Sequence, residues 1–236
     1  DRLRASVSGV DALIHAAAVF SLDPRQARTM REVNPTSTAA ILGEAVDRGL
    51  KRIVHVSSMG VYAASLIDIT PDSPVGPESG AYTGSKIAAD AMAVAHQDAG
   101  HPVVVVCPGG ILGPLDPSPE LSDSMAAMRD WVRMRTTAMP RTIRFGFVDV
   151  RDVAAVCVGS LTGGEAPARH LLAGHVHGMA DLLQMAAEMT GRRVRIMGSP
   201  LWAITLGGMV CDLIGRTTGN QMPLTGETAR LTVGNA

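Results

Sequence analysis

The chain has 236 residues, 21 Lys and Arg against 22 Asp and Glu, and a formal net charge of -1, which excludes the strongly basic footprint of a nucleic-acid-binding protein. Aromatic residues make up 3% of it while Ala, Gly, Val and Met are plentiful, a balance that suits helices packed closely on a sheet better than an all-β sandwich. The three cysteines, Cys107, Cys157 and Cys211, are odd in number and far apart; they offer neither a disulfide framework nor a Cys-x-x-Cys metal site and fit a reducing cytoplasm.

Asp11-Ala-Leu-Ile-His-Ala-Ala-Ala-Val19 is a short apolar run that predicts a parallel strand buried on both faces. Its small carboxyl end, Ala16, Ala17 and Ala18, suits either a flat ligand at the edge where open parallel sheets bind them or tight packing against a helix. Met30, Val33, Ile41, Leu42 and Val46 predict a helix over residues 24–48, with Gly49 just past its end and an interruption at Asn34-Pro35. Lys51-Arg-Ile-Val-His-Val-Ser-Ser58 reads as a second strand ending in two hydroxyls. Residues 59–80, rich in Pro, Ser, Asp and Gly, read as a functional loop leading to a helix over residues 81–99, with Ser79 as its cap.

Pro102-Val-Val-Val-Val-Cys-Pro108 is β-branched enough to be a central strand, and Gly109-Gly110-Ile111-Leu112-Gly113-Pro114 breaks it at the same sheet edge, where glycine permits a ligand close to the backbone. Beyond it the pattern predicts helices over residues 121–137, 152–161, 179–190 and 201–215 and strands over 143–148, 169–173 and 193–197, before a polar tail. The alternation through residue 108 points to an α/β doubly wound parallel sheet, and the later part to a smaller α/β cap. The last helix is apolar but shorter than the ~20 residues of a membrane span, which leaves peripheral contact open.

Tyr82-Thr83-Gly84-Ser85-Lys86 carries the chemistry. On a helix, Tyr82 and Lys86 project from one face, and an ammonium beside a phenol favours the phenolate and draws its pKa down. Ser58 faces the same edge. His15 and His55 fit buried strand histidines better than ligands; His170, His175 and His177 lack a carboxylate or thiol to complete a metal set; Asp149 and Asp152 around Arg151 read as helix capping with an ion pair.

Ser58, Tyr82 and Lys86 at consecutive strand ends resemble the catalytic group of the extended short-chain dehydrogenase/reductases, the NAD-dependent epimerase/dehydratase family. Supporting stretches are Ile14-His-Ala-Ala-Ala18, His55-Val-Ser-Ser-Met-Gly-Val-Tyr62, Pro108-Gly-Gly-Ile-Leu-Gly-Pro114 and Phe147-Val-Asp-Val-Arg-Asp-Val-Ala154, and within the family the later segments look most like dihydroflavonol-reductase-like and 3β-hydroxysteroid-dehydrogenase-like proteins. The resemblance implies a Rossmann-like domain over residues 1–114 and a substrate cap over 115–236, with residues 143–173 returning to the sheet. It implies a cytoplasmic NAD- or NADP-dependent oxidoreductase acting on a secondary alcohol or ketone, with nucleotide-sugar epimerase or dehydratase, or a non-catalytic regulator, as alternatives. Tyr82 is then the acid or base, Lys86 lowers its pKa and holds the nicotinamide ribose, and Ser58 binds the substrate oxygen. Ala16, Ala17, Ala18, Ser57, Tyr82, Lys86, Pro108, Gly109, Gly110 and Ile111 border the cofactor, Asn34 has a mainly structural part, and Cys107 departs from the Arg many members carry there. The partners implied are a small-molecule substrate and no nucleic acid, with a homodimer left open. No secretory signal and no glycine-rich dinucleotide turn are present, and the expectation is an internal piece lacking the family's first βαβ unit and a short carboxyl-terminal segment.

Overall fold

The computed structural model describes residues 7–21, 23–62, 68–114, 123–134, 136–162 and 168–218. The predicted tail beyond residue 218 and the first six residues lie outside these. Four parallel strands make the main sheet: β1 (Ala12–His15), β2 (Arg52–Val56), β3 (Val103–Pro108) and, much later in the chain, β7 (Arg169–Leu172), side by side in that order. Helix α1 (Ala27–Asp47) joins β1 to β2, and α2 (Ala81–Asp98) precedes β3. Strand periodicity sorts the core into two layers. Ile53, Val103, Val105 and Cys107 pack with Leu42 and Ala45 of α1 and Ala93 of α2, whereas Val54, Val104 and Val106 meet Val153 and Cys157 of α4 (Val150–Thr162) on the opposite face. The two faces are thus covered, as the continuous β-branched runs require.

Helix α1 corrects one expectation, because it runs through Asn34-Pro35 without ending. Pro35 forfeits a backbone donor and disfavours helix at Asn34. Asn34 offsets this through its buried amide, which accepts from Val19 N at 2.7 Å and donates to Val19 O and to Ser85 Oγ, both at 2.9 Å. The helix ends where predicted: Gly49 adopts φ 68° and Leu50 N reaches back to Ala45 O at 3.0 Å. At α2 the expected Ser79 cap is replaced. Gly80 occupies the cap position and the Thr83 hydroxyl accepts the Gly80 N–H at 2.9 Å and the Ser79 N–H at 3.2 Å.

The remaining strands belong to smaller sheets. The glycine-rich turn after β3 contains a strand, β4 (Gly110–Leu112), which pairs with β6 (Arg144–Asp149), itself paired with β8 (His175–Gly178). β5 (Thr136–Met139), whose first two residues fall within the helix expected over residues 121–137, pairs with β9 (Arg195–Gly198). A separate cluster of Val132, Met139, Leu183, Ala187 and Val194 joins α3 (Asp123–Arg133), α5 (Met179–Met189) and this two-stranded sheet. The last helix, α6 (Leu201–Thr218), is longer than predicted. Among the described residues no helix is long and apolar enough to cross a membrane.

The layered core makes a direct prediction. Leu42→Ala removes a fully buried side chain between α1 and the sheet and is expected to cost about 2–5 kcal/mol, whereas Val158→Ala on the exposed face of α4 stays within about 0.5 kcal/mol. Urea denaturation of both variants checks this, and equal losses would contradict the assignment of faces.

Candidate active site

Three strand ends and one helix meet at the carboxyl edge of the main sheet. β1 delivers Ala16, Ala17 and Ala18, all exposed; β2 delivers Ser57 and Ser58; β3 ends at Pro108, followed by Gly109. Ser58 is the cap of a one-turn 3-10 helix, Met59–Val61, and its Oγ accepts the Gly60 N–H at 3.1 Å. That leaves the Ser58 proton free for the Tyr82 phenol, with which the hydroxyl shares a hydrogen bond. Tyr82 enters from the first turn of α2, and the Phe20 ring meets it edge-on, centroids 4.8 Å apart.

Lys86, one turn further along α2, is buried, and its Nζ donates to Val56 O at 2.9 Å. Burial pushes its ammonium down to about 8, against the opposing pull of Asp90 and Cys107. The four-residue spacing suggests that Lys86 should draw the phenol down; instead burial raises the Tyr82 pKa, and the hydrogen bond from Ser58 is what counters the rise. Ser58, Tyr82 and Lys86 are therefore joined through the end of β2: Ser58 touches the phenol, and Lys86 holds the carbonyl two residues before Ser58.

The structure separates the remaining predicted residues. Ala16, Ala17, Ala18, Gly110 and Ile111 are exposed at this edge, while Pro108 is buried. The two glycines are required by the protein itself: a Cβ on Gly109 would stand 2.6 Å from Gly146 O, and one on Gly110 2.7 Å from the Phe147 ring. Close approach there is to β6. Ser57 points away from Ser58's partner and donates to Asp90 Oδ1 at 2.6 Å. His15 lies 3.1 Å from Thr38 Oγ1, and His55, with both ring nitrogens buried and unpartnered, is pushed down to about 3 by burial and by Lys86. Asp149 caps α4 and pairs with Arg151 at 2.6 Å, as expected. Among the described residues no group of three potential ligands could hold a metal ion.

Sequence reasoning missed a buried polar cluster behind the site. Arg169 of β7 binds Asp90 of α2 through both guanidinium nitrogens, Nη1 to Oδ1 at 3.1 Å and Nη2 to Oδ2 at 2.8 Å, and Nη1 also lies 3.3 Å from Tyr62 Oη and from Cys107 Sγ. The available signal was Asp90 itself, four residues past Lys86 on the same helix face.

A parallel sheet covered on both faces, with a hydroxyl, a phenol and an ammonium at its carboxyl edge, defines the chain as a Rossmann-type protein. It belongs to the NAD dependent epimerase/dehydratase family, whose profile matches residues 1–174. A relative from Methylococcus capsulatus named sterol demethylase protein B is 28% identical over 193 residues, 80% of this chain and 58% of the relative. A second, from Synechocystis and named as a dihydroflavonol 4-reductase, is 28% identical over 213 residues, 85% of this chain and 60% of the relative. The chain thus spans less than two thirds of the length of these relatives. Among solved structures, the dTDP-glucose 4,6-dehydratase of Streptomyces venezuelae, with NAD and DAU bound, superposes with a TM-score of 0.68 at 26% identity, covering 84% of this chain and 64% of that one.

The buried ammonium sets a pH dependence of stability. The folded Lys86 pKa, about 8, lies below the ordinary 10.5, so between these values the unfolded chain binds more protons and stability rises with pH. Lys86→Met is expected to abolish that rise. Urea midpoints measured across the window test it, and an unchanged slope would contradict the burial of the charge.

Proposed function

We propose that this chain is part of an NAD-dependent oxidoreductase that moves a hydride between nicotinamide and a secondary alcohol or ketone, with Ser58, Tyr82 and Lys86 handling the proton. The observation that carries the reading is the placing of Ser58 and Tyr82 at one edge flanked by the exposed Ala16, Ala17 and Ala18, with Lys86 buried behind them and bonded to Val56 O. The donor set fits the nicotinamide half of a dinucleotide. Lys86 uses one of its three protons on Val56 O and keeps two for other acceptors, such as ribose hydroxyls, and the alanines leave space for a flat ring. NADP is the alternative cofactor. When bound, the nicotinamide supplies or accepts the hydride.

The protein's residues do the rest. Tyr82 gives a proton to the carbonyl oxygen in reduction and takes it from the alcohol in oxidation. Ser58 holds the same oxygen and lowers the phenol's proton affinity, and Lys86 holds the end of β2 that carries Ser58. Residues 115–236, apart from the 143–173 segment, serve as the substrate cap. The dihydroflavonol 4-reductase relative supports a reductase over other members of the family.

A nucleotide-sugar epimerase or dehydratase is the second reading, favoured by the likeness to the dTDP-glucose dehydratase. The two differ in their use of cofactor: an oxidoreductase accumulates or consumes NADH stoichiometrically, whereas an epimerase or dehydratase returns its hydride. The intact Ser-Tyr-Lys set argues against a non-catalytic regulator.

Tyr82→Phe in the protein at its natural length is expected to lower kcat by about 10²–10⁴-fold with NAD affinity little changed. NADH absorbance with cyclic secondary alcohols, and calorimetric titration of NAD, measure the two. Parental turnover by the variant would refute the mechanism.

A further inference from the structure

We propose that the buried Asp90–Arg169 ion pair is the positioning device for Ser58, gripping its turn through Ser57 on one side and Tyr62 on the other. This rests on the role given to Ser58 and Tyr82 above.

Ser58 sits on a short turn rather than in the strand, and a hydroxyl on a one-turn helix has little regular structure to fix it. Both feet of that turn stand on the same ion pair. Ser57, just before Ser58, donates to Asp90 Oδ1 at 2.6 Å, a short charge-assisted bond. Tyr62, the residue that closes the turn, has its hydroxyl 3.3 Å from Arg169 Nη1 and its ring under the guanidinium, 5.9 Å from the centroid. The pair is itself rigid, because its two side chains are almost wholly buried and joined by two parallel bonds. Its anchors are α2, which also carries Tyr82, and β7, which flanks β3. Ser58 is therefore located relative to Tyr82 through one helix: Tyr82 at its start and Asp90 two turns on.

The pair also answers an electrostatic need. Lys86 is buried one turn before Asp90, and a buried ammonium without a nearby anion is costly. Around it stand His15 of β1, His55 of β2, Cys107 of β3, Asp90 on its own helix and, beyond Asp90, Arg169 of β7; Asp90 is the carboxylate among them and favours the charged lysine. A pair serving only as glue between α2 and β7 would need neither Ser57 nor Tyr62.

The test uses Ser57→Ala and Tyr62→Phe, which keep the ion pair and remove one foot each, beside Tyr82→Phe, in the natural-length protein with NAD and cyclic secondary alcohols. The expected result is a fall in kcat of about ten- to a hundredfold per folded enzyme, an unchanged KM for NAD in Tyr62→Phe, and an alkaline shift of the limb of the oxidation pH profile, since a displaced Ser58 no longer lowers the Tyr82 pKa. Parental kcat and pH profile in both variants, with Tyr82→Phe inactive, would overturn the inference while leaving the proposed function standing. If Tyr82→Phe retains turnover, the proposed function fails instead. Crystal structures of the two variants then decide the positioning claim: loss of the Ser58–Tyr82 hydrogen bond supports it, and its retention overturns it.

Discussion

The site depends on a single buried contact, the Lys86 ammonium against the Val56 carbonyl. With the Ser57–Asp90 bond beside it, it fastens α2 to the carboxyl end of β2, and Ser58 and Tyr82 lie within two residues or about one helical turn of it. The contact is expensive, since burial works against the charge, and the fold offsets that cost with Asp90 one turn along. The same carboxylate then reaches Ser57 and Arg169, so the charge that makes Lys86 tolerable also organises the strand end beside it.

This polar layer lies between one face of the main sheet and helices α1 and α2, while on the other face Val54, Val104 and Val106 pack on Val153 and Cys157 of α4. His15, Thr38, Asn34 and Ser85 extend the layer toward α1. Such a layer is high-stakes: where its members are satisfied it fixes one arrangement, and Asn34 shows the benefit, holding the segment after β1 to both α1 and α2 with three hydrogen bonds. His55 is the exception. Its unpartnered nitrogens stay neutral, and as pH falls below the ordinary imidazole range toward about 3 its protonation draws on the stability of the fold.

The parallel sheet was legible because β1 to β3 are largely apolar runs, continuous in β3, and Tyr82 with Lys86 because a helix converts a spacing of four into a shared face. β4, β5 and β8 were not. They are three or four residues long, half-exposed and rich in Gly, Thr and His, and they exist as strands only through partners distant in sequence. Pro35 misled because local backbone preference is weaker than the tertiary bonds of Asn34. Arg169 read as one more strand residue, since nothing near it in sequence announces Asp90, 79 residues away. The titration of Tyr82 was out of reach for a similar reason: spacing shows that a charge is near, and only three dimensions show how deeply the phenol is buried and that Ser58 counters the effect of that burial.

The account holds that one edge of one sheet carries both the proton-transferring hydroxyls and the berth for nicotinamide. A crystal structure of the natural-length protein with NAD tests this most directly. The account predicts Lys86 Nζ within about 3.2 Å of a nicotinamide-ribose hydroxyl and the Tyr82 hydroxyl facing the ring beside Ser58. A nicotinamide bound elsewhere, with Lys86 still contacting protein atoms alone, would contradict it.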